Sequence, residues 1–224
     1  MKAEKECFEC CRNKVSGLLE QYHASESVQA AVLEQMERVL NSAEEKSAPV
    51  LMAEVISVAE AHLKVSDSYQ YPKKKYNRIL MRQEEEIRRE IAGEKDPFLA
   101  GLQYAITGNY IDFGAMSEVK EEKLGELLSK RGEIRLPEEE LEYLRGDLAN
   151  AKRLAYITDN AGEIVLDKVF LEVIKEFYPN LEVGVIVRGA PVLNERCKDS
   201  RAYRGSLSNS QWHRCPWDTI GSGG

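Results

Sequence analysis

Residues 157–168 read Ile157-Thr158-Asp159-Asn160-Ala161-Gly162-Glu163-Ile164-Val165-Leu166-Asp167-Lys168, or ITDNAGEIVLDK. Before them stands LAYIT, short, apolar and partly β-branched, the composition of a buried parallel strand. After them AGEIVLDKVFLEVIKEFYP keeps helical periodicity, with Ile164, Val165, Lys168, Val169, Val173 and Phe177 outlining one face and Pro179 and Asn180 ending it. LEVGVIVRG then reads as a second buried strand. Strand, helix and strand make one βαβ unit, and its crossover is expected to be right-handed.

In open α/β sheets ligands bind beyond the carboxyl ends of the strands. Asp159 and Asn160 sit at the end of the first strand; Arg188, Gly189, Asn194 and Glu195 follow the second. Paired strands bring these ends together. Oxygen donors from adjacent strand ends suit a hard divalent cation such as Mg²⁺ or Mn²⁺. A helix starting near Gly162 would aim its N-terminus at the same place, which favours phosphate. Asp159-Asn160-Ala161-Gly162 reads equally well as a plain turn with a helix cap, because these residue types dominate both.

Working outward, residues 1–150 read as nearly all helix. VQAAVLEQMERVLNSA and APVLMAEVISVAEAHLKV have apolar residues at helical spacing. YNRILMRQEEEIRREIAGEKDPF is a charged helix that stops near Gly93 and Pro97. FLAGLQYAITGNYIDFGA is apolar and interrupted by Gly108-Asn109. LGELLSKRGEIRL and EEELEYLRGDLANA add further helix. The expected fold is α/β: an all-helical domain (1–150) packed on the start of a Rossmann-like metal-binding βαβ domain (151–195). The runs Lys73–Lys75, Glu84–Glu86 and Glu138–Glu140 are expected to be solvated. His23 and His62 read as surface or core filling.

The 224 residues are 43% hydrophobic and 31% charged, which suits one or two globular domains with a real core. A net charge of −7 argues against a nucleic-acid partner, since phosphate binding needs a basic face. No apolar run approaches membrane-spanning length and MKAEKECFECC has no signal-peptide core, so a cytoplasmic protein with no membrane partner is expected. The five cysteines are an odd number and are expected reduced. Cys7 and Cys10 lie one helical turn apart, but a structural zinc site needs two more ligands.

TDNAGEIVLDK followed by VRGAPVLN resembles the metal-dependent damage-control phosphatases, formerly the domain of unknown function eighty-nine family. ECFECC is similar to the Cys-x-x-Cys opening of the microbial branch, and KDPF and GNYIDFGA are similar to its DPF and GN-x-x-D segments. The resemblance runs from about Cys7 to Asn194. It implies that Asp159 and Asn160 ligate a divalent metal (Mn²⁺, Ni²⁺, Co²⁺ or Mg²⁺). Glu195 stands where the family carries an Asp as third ligand. Asn109 and Asp112 match residues lining the active site, so the implied catalytic set is Asp159, Asn160, Asn109 and Asp112. Arg188 and Glu163 are the candidate substrate-binding residues. The implied reaction is hydrolysis of a phosphomonoester on a small metabolite, a sugar phosphate or a damaged phosphorylated intermediate. A non-catalytic helical binding protein is the alternative. Carboxyl methyl transfer is disfavoured, because no Gly-rich cofactor loop follows a strand. Asn160→Asp is expected to tighten bare metal binding and weaken phosphate binding.

After Glu195 the character changes. Residues 196–224 hold both tryptophans and two of the five cysteines, and no strand or amphipathic helix can be traced. Read one base later, the codons permitted for WHRCPWD include Gly-Thr-Asp-Ala-Pro-Gly-Thr, similar to the family's Gly-[Ser/Thr]-Asp-Ala-x-Gly segment. The expectation is a shifted reading frame near Asn194, with a genuinely divergent tail as the alternative. Two strands without further neighbours are expected to expose apolar edges and leave the chain as written poorly soluble or only partly folded, and nearly inactive, with metal-dependent phosphatase activity recovered when the downstream frame is restored.

Overall fold

The computed structural model describes residues 2–42, 45–110 and 121–186. The expected tail, 196–224, lies outside them. Among the described residues the chain is mostly helical with a small parallel two-stranded sheet, and it divides into two compact units between Pro72 and Lys73. The division therefore falls inside the segment expected as one helical domain, and residues 73–150 share a unit with the strands.

The first unit is built on α1 (Lys5–Gln21), α2 (Glu26–Asn41) and α3 (Ala48–Leu63). Helical spacing of Val15, Leu18 and Leu19, of Val32, Met36 and Leu40, and of Leu51, Val55 and Ala59 supplies three apolar stripes that close on one another. Ser25 caps α2, and Pro49 stands in the first turn of α3, where its missing N–H costs nothing. Arg12 on α1 donates twice to Glu37 on α2, at 2.6 and 2.9 Å. His62 meets Gln35 at 2.9 Å across α3 and α2. Cys7, Cys10 and Cys11 are free thiols, and burial pushes the Cys11 thiol up to about 11.

The second unit takes in all but the first turn of α4 (Gln70–Gly93), then α5 (Pro97–Asn109), α6 (Glu121–Ser129), a 3-10 turn at Arg131–Glu133, α7 (Glu138–Asn150), β1 (Arg153–Ile157), α8 (Glu163–Phe177) and β2 (Glu182–Ile186). KDPF turns out to be a helix start. Asp96 accepts the Leu99 N–H at 3.1 Å, Pro97 occupies the first helical turn, and Phe98 is fully buried. Phe98 meets Phe170 edge-on at 5.5 Å, and the Arg145 guanidinium lies 4.6 Å from its ring centre. Two glycines let α5 lie close on α8. A Cβ at Gly101 would stand 3.0 Å from Phe170, and one at Gly108 would stand 3.1–3.2 Å from Glu163 and Leu166.

β1 and β2 pair in parallel, from Arg153 opposite Glu182 to Ile157 opposite Ile186. Leu154, Tyr156 and Val185 pack on the core. Ile157 and Ile186, at the strand ends, are 75% and 51% exposed, so the expected burial of both strand faces is not met there. Among the described residues no helix is long and apolar enough to cross a membrane.

Three expectations about faces are corrected by packing. α8 is not amphipathic in its first turns: Glu163 to Asp167 are all buried, whereas Phe177 is 45% exposed. Lys73 of the supposedly solvated lysine run is buried. Glu84, expected on an exposed acidic face, is buried between Arg88 and Lys168, the latter donating at 2.6 Å. Glu138–Glu140 are exposed as expected.

Candidate functional site

The strand pairing runs one residue past β1: the Thr158 backbone N–H donates to the Ile186 carbonyl at 3.0 Å. Beyond it the chain must turn sharply into α8. Gly162 makes that turn with φ 87°, a left-handed conformation that glycine adopts without steric penalty. From α4, the buried Asn77 holds the turn by accepting the Gly162 N–H on Oδ1 at 2.5 Å.

Asn160 and Glu163 then lock together. One Glu163 oxygen, Oε2, accepts the Asn160 backbone N–H at 3.1 Å and its side-chain Nδ2 at 2.9 Å. The other, Oε1, accepts Nδ2 of Asn109 at 3.3 Å, from the last residue of α5. The Asn160 carbonyl accepts the Ile164 N–H at 3.3 Å, the first bond of the helical ladder. Backbone Asn160 and side-chain Glu163 have the three-residue spacing of the reach-back half of a capping box, with Asn160 two residues ahead of the N-cap Gly162. The turn-and-cap reading and the site reading describe the same atoms.

Asp159 is exposed beside Asn160, whose Nδ2 lies 3.5 Å from Asp159 Oδ2. Glu163 is only 6% exposed, and burial pushes its carboxyl up; the Asn160 bonds pull it down, the Asp159 charge pushes it up, and the net shift is upward. One turn further, Asp167 is 3% exposed and accepts the Tyr156 hydroxyl at 2.7 Å. Burial raises the Asp167 carboxyl to about 7; the Tyr156 bond opposes this, and the charges of Glu163 and Asp159 add to it.

Of the expected site residues, Asp159, Asn160, Glu163 and Asn109 are brought together, the last across 54 residues of sequence from Glu163. Asp112, Arg188 and Glu195 lie outside the described residues. The expected phosphate position at the helix N-terminus is partly filled from within, because Glu163 and Asn77 take the N–H groups of Asn160 and Gly162. Asn77, Tyr156 and Asp167 were not singled out from sequence. Asp167 carried one signal, its spacing of four from Glu163, which puts the two acids on one side of the helix. Asn77 carried none.

Among the described residues no group of three or more His, Cys, Asp or Glu side chains has the geometry to hold a metal. The oxygen donors Asp159 and Asn160 nevertheless fit a hard cation in kind. Nδ2 of Asn160 is turned toward Glu163, so its Oδ1 is turned away from that carboxylate.

The family model for the damage-control phosphatase ARMT1-like domain matches residues 3–202. An uncharacterized protein of Methanocaldococcus jannaschii is 30% identical over 205 residues, 87% of this chain and 65% of the relative. A damage-control phosphatase of Archaeoglobus fulgidus is 32% identical over 145 residues, 63% of this chain and 49% of its own length. The damage-control phosphatase PH1575 of Pyrococcus horikoshii is 26% identical over 199 residues, 87% of this chain and 67% of its own. The chain thus spans about half to two thirds of the length of these relatives. The crystal structure of that Pyrococcus horikoshii DUF89 family protein superposes with a TM-score of 0.73 at 24% identity, covering 88% of this chain and 67% of the other.

Proposed function

We propose that this chain, which belongs to the damage-control phosphatase ARMT1-like family, is a divalent-metal-dependent phosphatase acting on phosphomonoesters of small metabolites, such as sugar phosphates or damaged phosphorylated intermediates. The βαβ unit is the beginning of a Rossmann-like domain, and the protein works in the cytoplasm. The observation that carries the reading is the convergence of Asp159, Asn160 and Asn109 around the buried Glu163 at the end of β1.

Asp159 and Asn160, with Glu195, are the ligands for Mn²⁺, Ni²⁺, Co²⁺ or Mg²⁺. A bound divalent cation supplies charge to polarise phosphoryl oxygens. Asp159 and Glu195 bring one formal charge each and Asn160 a neutral oxygen, so the set neutralises the dication without giving it a net negative charge. Arg188 holds the phosphate, and Asn109 and Asp112 line the helical side of the site.

The test is Asp159→Ala. Calorimetric titration with Mn²⁺ should show binding to the wild-type chain and none to the variant, with the helical circular dichroism unchanged. Hydrolysis of an aryl phosphate, expected to be weak in the chain as written, should require one of the four metals. Wild-type Mn²⁺ affinity in the variant would remove Asp159 from the site.

A further inference from the structure

We infer that Glu163 is the positioning residue of this site: its buried carboxylate anchors the side-chain amides of both Asn160 and Asn109 by their nitrogens and so fixes each Oδ1, while the 3.5 Å contact of Asn160 Nδ2 with Asp159 Oδ2 is the one a cation held at Asp159 would displace. The inference rests on the metal-phosphatase reading above and assigns Glu163 a role distinct from substrate contact. An ionised carboxylate only accepts hydrogen bonds. Three N–H groups converge on it: the Asn160 backbone at 3.1 Å, Asn160 Nδ2 at 2.9 Å and Asn109 Nδ2 at 3.3 Å. In a planar amide, fixing the nitrogen fixes the oxygen on the opposite side. An asparagine without such a partner rotates at little cost and offers a cation its N–H groups as readily as its oxygen.

Helix capping does not account for this arrangement. Gly162 is the N-cap of α8 and no side chain caps it; the Asn160 N–H that Glu163 accepts lies two residues ahead of that cap. Asn109 belongs to α5 and contributes nothing to that cap, yet it spends its amide on the same carboxylate. The neighbouring Gly108 is what permits the reach, because a Cβ there would stand 3.1 Å from Glu163 Cγ and 3.2 Å from its Cα. Glu163 is also too buried for water to replace the lost acceptors.

Glu163→Gln tests the role in the 224-residue chain. The variant keeps the side chain's size but offers one acceptor oxygen, and its own NH₂ must face one of the two asparagines, which then rotates. Mn²⁺ alone is the probe. Glu163→Gln should weaken its binding about 10- to 100-fold, the loss typical when an orienting partner of a ligand is removed. Asn109→Ala, at an exposed position, should weaken it severalfold in the wild-type background and add nothing in the Glu163→Gln background. Side-chain amide NMR signals of Asn109 and Asn160 should both be displaced in the metal-free wild type, and at least one should return toward the free-amide position in Glu163→Gln. Wild-type Mn²⁺ affinity in Glu163→Gln, alongside loss of binding in Asp159→Ala, overturns the positioning role and leaves the metal reading standing. Wild-type affinity in Asp159→Ala overturns both. If Glu163→Gln fails to fold, Asn109→Ala alone decides: unchanged Mn²⁺ affinity overturns the inference.

Discussion

The two units solve burial differently. The first closes three helices over aliphatic side chains, and among its described residues the one buried polar side chain is Ser68, bonded to Glu60 at 2.8 Å. The second unit contains every other buried polar or charged side chain among the described residues, and Asn77, Asn160, Glu163 and Asp167 of that set surround the first turns of α8. Leaving a buried polar group unmatched costs about 1–3 kcal/mol, so a core built for stability alone avoids such groups. The second unit gathers four of them at the start of α8 and satisfies them locally: Asn160 and Glu163 bond to each other, Asn77 accepts the Gly162 N–H, and Asp167 accepts the Tyr156 hydroxyl. That concentration separates a site from a scaffold here better than any single motif does.

The contrast breaks or sharpens under four substitutions. Apolar truncation should hurt both units alike: Leu51→Ala in the first and Phe98→Ala in the second, both fully buried, should each cost about 3–5 kcal/mol in urea unfolding. A loss below about 1 kcal/mol for Leu51→Ala would mean that the first unit is not a packed core. Polar substitution should separate them. The Asp167 carboxyl titrates near 7 in the folded chain against an ordinary value of 3.8. The folded state therefore keeps a proton that the unfolded state releases, and metal-free stability falls as pH rises from about 4 to about 7, then levels off. Asp167→Asn removes that decline while still accepting the Tyr156 hydroxyl. The variant should gain on the order of 2–4 kcal/mol over wild type at pH 8 and nothing at pH 4. An unchanged pH slope would contradict the assignment. Gly108→Ala gives the smallest change. Crowding of Glu163 and Leu166 opposes a better helix former, for a net loss of about 1–2 kcal/mol in thermal unfolding. Its Mn²⁺ affinity should fall further than that stability change alone explains.

Much of the architecture was legible because it depends on local periodicity. α2, α3, α4 and α7 follow apolar spacing, and the alternation of β1, α8 and β2 announced a parallel pair. Tertiary partners decided the rest. A run of three glutamates says only that the segment is charged; Glu84 turns inward because Arg88 lies one turn on and Lys168 waits 84 residues later. The same limit applies at the site. Asp159-Asn160 was visible as a pair at a strand end, but Glu163 beneath them was not visible as the group that joins them to Asn109. This alters what Asn160→Asp should do. From sequence the new carboxylate simply adds charge for a cation; in the folded chain it replaces an N–H donor 2.9 Å from a buried carboxylate. Metal-free folding should suffer before any metal arrives.

The tethers from α4 have a kinetic corollary. Asn77, Glu84 and Arg88 reach Gly162, Lys168 and Glu172, in the same order along both helices, so α4 and α8 run in the same direction and are rung to one another at three heights. Slippage of either helix by a turn must break all three rungs together. The Gly162 amide hydrogen, although it sits in a loop, is therefore governed by the opening of an entire helix pair. Its exchange with deuterium should keep pace with that of the α8 interior, orders of magnitude slower than a loop amide held only by its neighbours.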